Sequence, residues 1–374
     1  MRWAIGGRYR RAGGTGNARW RGAGPVPYHS GVPAPPRPAD APEVLVVRFS
    51  AIGDIVLTTP LLRALKARHP QARITFLTRQ AYVPLLAASP RLHEVIGWDP
   101  AQPLAGLLAD LRTRRFTHRL DLHGSLRSAR IRHGLGGRWG RYRKHRLARA
   151  VLIRTKRNLY RDTRHVAERF FDAARGLDVT PDGGPAELFL RREAFDQADR
   201  FLAESGLGRE RTLLAVAPGA AHATKRWPER HWLALMGRLT ARADVVVLGG
   251  AAESGLAARM AEAGGAHAAS AAGRFDLQGT GALVKRARAL AAGDTGVMHM
   301  ATAVGTPVVA LYGPTVEAFG YFPYRARATV LQRDDLDCRP CSAMGGPRCP
   351  LRHHRCLEEI LPDDVEAAMR RLPA

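Results

Sequence analysis

The sequence lacks several things whose absence narrows the reading. No apolar run reaches the roughly 18–20 residues that a bilayer span needs, so no transmembrane helix is expected. The N-terminus carries basic residues but no apolar core segment, which excludes a secretory signal. Neither the G-x-G-x-x-G dinucleotide fingerprint nor the P-loop G-x-x-x-x-G-K-[ST] is present, so neither can be invoked for the glycine turns that follow strands. Acidic residues are scarce: 33 Asp+Glu stand against 58 Lys+Arg, a formal charge of +25. A surplus of that size points to anionic partners such as nucleic acid, anionic lipid or phosphorylated glycan, and says little about fold. A cytosolic protein, resting on a membrane surface, is the expected setting.

What is present is an alternating α/β pattern. At 374 residues with 45% hydrophobic content, the chain suits two domains. Residues 1–43 are rich in Gly, Pro and Arg without periodicity, and are expected to be disordered. No Met falls between Met1 and Met236, and the composition fits a true start after this tail. Residues 43–49, EVLVVRF, read as a buried parallel strand. The turn Ser50-Ala51-Ile52-Gly53-Asp54 and a helical pattern over 55–69 follow, in which Pro60 should kink or restart the helix. Strands at 73–78, 94–99 and 119–122 alternate with helices at 80–88 and 104–115. The turn His123-Gly124-Ser125 leads into a further helix. This is the rhythm of a doubly wound sheet, whose ligands gather at the carboxyl ends of the strands. Asp54 lies at such an end and is a candidate general base. The commoner role for an Asp there is an ordinary helix cap, and a helix N-terminus stabilises its ionised form.

Residues 127–164 hold fourteen Lys or Arg and one acid, Asp162, with Trp139 and Tyr142 interleaved. A polyanion surface fits this segment: phosphates on a substrate, or the anionic inner face of a membrane. Nucleic acid is the competing partner, but no recognition fold or aromatic pattern accompanies the charge. A helical pattern over 163–177 and a polar break at 178–185 precede a helix at 193–205. A domain boundary is expected there, near 190–210.

A second α/β series begins at 212–217. It continues through helix 229–242, strand 244–248, a helix from Glu253 to about residue 263, and helix 277–290. It ends in ALAAGDTGVMHMATAVGTPVVALYGPT, residues 289–315. There a short strand or turn meets Asp294-Thr295-Gly296 at the start of a helix that Gly305 closes, and a β-branched strand follows. The free N–H groups of Thr295, Gly296 and Val297 would form an anion site, above all for phosphate, with His299 one turn further in. A plain helix capped by Asp294 fits the same residues. Lys225 and Glu253 also follow strand ends. The lysine suits phosphate as a point charge, and the glutamate suits ribose hydroxyls. Together with the Asp294 turn they converge on a phosphate-bearing ligand.

The set RFSAIGDIVLTTPLLRALKARHP (48–70), PGAAHATKRWPERHW (218–232), LGGAAES (248–254) and GDTGVMHMATAVGTPVVALYGPT (293–315) resembles glycosyltransferase family 9, the lipopolysaccharide core heptosyltransferases. The resemblance runs from about Val44 to the C-terminus. It implies an α/β fold of GT-B architecture, two Rossmann-like domains facing each other across a cleft. The acceptor domain would span 44–205 and the nucleotide-sugar donor domain 206–361. A last helix, 362–374, would pack back on the first domain. It further implies inverting transfer from ADP-heptose to a lipid-linked, phosphorylated core acceptor, with no metal and no cofactor beyond the donor. Asp54 would be the base and Lys225 would neutralise the diphosphate, with Thr224 nearby. Asp294, Thr295, Gly296 and His299 would complete the diphosphate site, Glu253 would hold the nucleoside, and Arg127 would contact acceptor phosphate. The expected location is the cytoplasmic face of the inner membrane, held peripherally. A nucleotide-sugar epimerase, a GT-B transferase for another nucleotide sugar, and a non-catalytic polyanion binder are the alternatives.

One motif lies outside this scheme. Cys338, Cys341, Cys349 and Cys356 follow C-x2-C-x7-C-x6-C, with His353 and His354 close by. Four such cysteines suggest zinc, but the spacing is not a standard zinc framework. A packed or disulfide-capable hairpin is the more expected arrangement.

Overall fold

A computed structural model describes residues 19–21 and 41–372. The described chain forms two compact units. One takes the residues up to Lys144 together with Val166–Phe189; the other takes His145–His165 and the chain from Leu190 onward.

The first unit is built on a sheet of β1 (Arg19–Arg21), β2 (Glu43–Val47), β3 (Arg73–Arg79), β4 (Glu94–Trp98), β5 (His118–Asp121) and β6 (Gly140–Arg141), in the order β1-β4-β3-β2-β5-β6. All pairings are parallel except β1 with β4. The second unit has β7 (Leu213–Ala217), β8 (Asp244–Val247), β9 (Ala268–Ser270), β10 (Leu290–Gly293), β11 (Val308–Tyr312) and β12 (Ala328–Gln332), ordered β12-β11-β10-β7-β8-β9 and wholly parallel. In the first unit β2, and in the second β7, lies at the centre, and the order reverses beside it, between β2 and β5 and between β7 and β10. Each sheet is therefore Rossmann-like, with its switch point at the place where such folds bind ligands. The α/β, GT-B class expected from the sequence is the class observed.

The central strands explain themselves by composition. Val44 through Val47, and every residue of β10 and β11, are buried, as a sheet covered on both faces requires. Pro60 acts as expected. It has no N–H to donate and crowds the preceding turn, so the helical stretch divides into Ile52–Val56 and Thr59–Arg68, with Pro60 in the first turn of the second. Gly305 closes helix Gly296–Val304 at φ +82°, the left-handed cap that glycine adopts without a side-chain clash.

Several expectations need correction. Residues 80–88 form only a 3-10 stretch, Gln80–Leu85, because Pro84 sits inside it. The pattern over 163–177 is a single α-turn, Val166–Arg169, running into the 3-10 segment Phe170–Leu177. The helix read as 277–290 stops at Arg286, where Ala287 turns extended to feed β10. Strand β6 is two residues long and has no apolar signature. It exists because Gly140 lets the chain pass against the backbone of the neighbouring segment: a Cβ there would sit 1.7 Å from the Ala173 carbonyl oxygen. The disorder expected for residues 1–43 lies outside the described residues, apart from Arg19–Arg21, which pairs antiparallel with the otherwise open edge of β4, and from Ala41 onward.

The domain expectation changes in two places. Residues 145–165 belong to the second unit, because Leu152 and Tyr160 are buried with Phe319 and the His165 ring bonds the Phe322 carbonyl at 2.9 Å. The basic segment 127–164 is thus shared between the two units. The last helix, Pro362–Arg371, packs within the second unit. Val365, Ala368 and Met369 join the apolar cluster that contains Trp232, Leu235 and Val309 of the second unit. Its apolar face found a local partner. Among the described residues no helix is long and apolar enough to cross a membrane.

Candidate functional site

In the first unit the end of β2 carries an arginine that the sequence reading passed over. Arg48 is 5% exposed, and burying a guanidinium demands partners. Its Nε donates to the Ser50 carbonyl at 2.9 Å and its Nη1 to the Leu122 carbonyl at 2.5 Å, tying the ends of β2 and β5 together at the switch point. Its Nη2 lies 2.5 Å from Asp54 Oδ1. The other oxygen of Asp54 accepts from the Ala51 N–H at 3.2 Å. Asp54 is therefore both a helix cap and one half of an ion pair. The guanidinium stabilises its negative charge and fixes the direction of the carboxylate. Arg127 stands exposed in the first turn of helix Leu126–Leu135, after β5.

His123 follows β5 and packs edge-on against Phe49, ring centroids 5.1 Å apart. Burial, seconded by the nearby charges of Arg48 and Lys144, lowers its pKa to about 4. An imidazole held neutral in the fold but free to charge in the unfolded chain binds fewer protons when folded. Stability should consequently fall as pH drops from the ordinary histidine value near 6.5 towards 4. The His123→Gln variant is expected to lose less stability than the parent between pH 7 and pH 5, measured as the urea midpoint at each pH. Equal losses would remove His123 from that role.

In the second unit the ends of β7, β8, β10 and β11 bring most of the expected donor residues together. The turn after β7 supplies Thr224, 4% exposed, and Lys225. Lys225 Nζ lies 2.7 Å from Asp294 Oδ2, and the same oxygen accepts from Thr315 Oγ1 at 2.8 Å. Asp294 precedes Thr295, the N-cap of the nine-residue helix Gly296–Val304. The lysine is thus held beside a helix N-terminus, where orphan N–H groups and the helix dipole favour an anion. Thr295 Oγ1 is buried without a hydrogen-bond partner. Gly293 makes the approach feasible, since a Cβ there would stand 3.0 Å from the Lys225 carbonyl oxygen. Glu253 comes from the turn after β8, where its Oε2 accepts from the Gly250 N–H at 2.9 Å. A Cβ on Gly219, just past β7, would meet Glu253 Cγ at 2.7 Å, so the glutamate lies against the end of the central strand. His299 is 3% exposed.

The family described as glycosyltransferase family 9 (heptosyltransferase) matches over residues 105–349. The chain belongs to glycosyltransferase family 9. It is 30% identical over 305 residues to lipopolysaccharide heptosyltransferase 2 of Salmonella typhimurium, covering 74% of this chain and 84% of that protein. It is 30% identical over 328 residues to lipopolysaccharide heptosyltransferase 1 of Pseudomonas aeruginosa, covering 80% and 85%. Among solved structures, the ADP-heptose LPS heptosyltransferase II of E. coli is similar at a TM-score of 0.68 and 26% identity, over 88% of this chain and 99% of that one. This protein is a glycosyltransferase.

Two side chains of this family 9 enzyme lie beside candidates named from the sequence: Arg48 beside Asp54 and Thr315 beside Asp294. Both lie within the motifs that carried the resemblance. The fold sets both: Arg48 is held by the Leu122 carbonyl at the end of β5, and Thr315, after β11, meets Asp294, after β10. The four cysteines of the enzyme are free thiols. Among the described residues no group of three or more His, Cys, Asp or Glu is arranged to hold a metal. Burial, with the other three thiols nearby, pushes the Cys356 pKa up to about 12, which makes it a packed, protonated thiol.

Proposed function

We propose that this enzyme transfers heptose from ADP-heptose to the inner-core oligosaccharide of lipopolysaccharide, with inversion at the anomeric carbon. The observation that carries the proposal is Lys225, held by Asp294 at a helix N-terminus on the switch point of the second sheet. A fixed cation beside unpaired N–H groups suits a diphosphate, and family membership supplies the reaction class.

In the proposed step Asp54 takes the proton from the acceptor hydroxyl. The hydroxyl oxygen forms the new bond to the anomeric carbon, and the bond from that carbon to the diphosphate breaks. Its electron pair goes to the departing phosphate oxygen, so ADP leaves. Asp54 contributes as an oriented base, a role worth roughly 10²–10⁴ in rate. Lys225 and the N–H groups of Thr295 and Gly296 would meet the charge that grows on the leaving group. Lys225 has three donors, so it can keep Asp294 and still reach phosphate. Glu253 would accept from the ribose hydroxyls, and Arg127 would meet acceptor phosphate. The reaction needs no cofactor beyond the donor. The basic residues of 127–164 would rest against the phosphorylated acceptor and the anionic cytoplasmic face of the inner membrane.

Mass spectrometry of lipopolysaccharide from a strain lacking the gene tests the reading. A core truncated by heptose is expected, and an intact core would refute it. With purified enzyme, release of ADP should depend strictly on the core acceptor. Turnover of the donor alone would favour the epimerase reading.

A further inference from the structure

The cysteine-bearing segment 338–356 has no part in the reaction above, yet its contacts concentrate on the donor residues. On one side it holds the Thr224–Lys225 turn. The Gly346 N–H donates to Thr224 Oγ1 at 2.8 Å, and the Thr224 N–H donates to the Gly346 carbonyl at 3.2 Å. His354 Nε2 donates to the Thr224 carbonyl at 3.0 Å. Gly345, at φ +94°, lies so close that a Cβ would meet His222 Cβ at 2.7 Å and Lys225 Cγ at 3.3 Å. On the other side the segment holds the turn after β11. Arg339, 9% exposed, donates to the carbonyls of Gly313 and Thr315 at 2.7 and 3.0 Å, and the Cys341 N–H donates to Pro314 at 3.2 Å. Thr315 is the residue that bonds Asp294.

The segment therefore grips Lys225 through its chain neighbour Thr224 and Asp294 through its hydrogen-bond partner Thr315. It is anchored in turn by Lys156, at the end of the basic helix Arg146–Thr155, whose Nζ donates to the carbonyls of Cys338 and Pro340 at 3.1 and 2.7 Å.

We propose that residues 338–356 form a positioning strap of the donor site, with Gly345, Gly346 and His354 fixing the Thr224–Lys225 turn so that the lysine ammonium is pre-set for the donor diphosphate. The proposal rests on the donor-site reading given above. A carbonyl can only accept, so His354 Nε2 carries a proton in this contact. A glutamine places an amide N–H donor at similar reach, whereas alanine does not. Pre-setting a binding group lowers the ordering cost of binding without touching the chemical step.

The test is carried out on the full-length enzyme with ADP and with the nucleotide-sugar donor. His354→Ala should raise the donor KM and the ADP Kd by about fivefold, the worth of one ordinary hydrogen bond, with little change in kcat. His354→Gln should restore both. Gly345→Ala should raise the ADP Kd further by pushing on Lys225, and circular dichroism confirms that the variant is folded. Lys225→Ala is the control. If it binds ADP as the parent does, the donor-site reading itself fails. If it loses ADP affinity while folded His354→Ala and Gly345→Ala keep theirs, the strap inference alone fails. A loss in His354→Ala that falls on kcat, or that glutamine does not restore, also overturns it.

Discussion

Replacing Asp54 with alanine is expected to lower heptose transfer by roughly 10³-fold, the middle of the range for losing an oriented general base. The ADP affinity should stay at the parent value, because Asp54 belongs to the first unit and every proposed donor contact belongs to the second. The substitution leaves Arg48 without its carboxylate, and a buried guanidinium that loses a partner costs stability. The remaining bonds to Ser50 and Leu122 should still keep the switch point folded. Asp54→Asn therefore serves as a companion: it keeps the shape and a hydrogen-bond acceptor for Arg48 but cannot take a proton. Steady-state transfer assays and calorimetric ADP titrations on both variants separate base from scaffold. Wild-type turnover in either one would end the assignment of Asp54 as the base.

Lys225→Ala carries the second large effect. Removing a charge-assisted contact to diphosphate should weaken ADP binding by roughly 10- to 100-fold. It should also lower kcat, since charge builds on the leaving group only as the glycosidic bond breaks. The joint loss distinguishes Lys225 from a residue of uniform binding, which would raise KM alone. Asp294 then has Thr315 as its remaining partner among the bonds described above, so part of the loss comes from an uncompensated carboxylate beside the diphosphate. The double variant Lys225→Ala/Asp294→Asn should accordingly bind ADP better than Lys225→Ala. If it binds more weakly, Asp294 contributes to the nucleotide directly rather than through the lysine.

Much of this enzyme was legible from its chain alone, for reasons of local physics. Buried strands announce themselves as short continuous apolar runs, as in β2, β7 and β11. Pro60 and Gly305 mark helix boundaries because backbone sterics act on the residues that carry them. The turns that hold Asp54, Lys225, Glu253 and Asp294 were placed at strand ends for the same reason, and their combined motifs named the family. Where short-range signals were weak, the reading slipped. A two-residue strand has no period, and a 3-10 stretch holding Pro84 resembles a helix in its apolar pattern.

The tertiary structure alone decided what those residues touch. Arg48 gave no sign of its role until β2 and β5 met at the switch point and turned a basic residue after a strand into the holder of Asp54. The basic run looked like one surface, yet burial of Leu152 and Tyr160 with Phe319 assigned half of it to the other unit. The final helix found its apolar partner beside Trp232. A packed or disulfide-capable hairpin was the more expected arrangement for the cysteine motif, but only the fold showed that its backbone meets Thr224, 122 residues away in sequence. Spacing in a sequence reports which residues share a turn or a face. It cannot report which distant turns meet, because that depends on the order of strands in a sheet, and that order is settled only when the core closes.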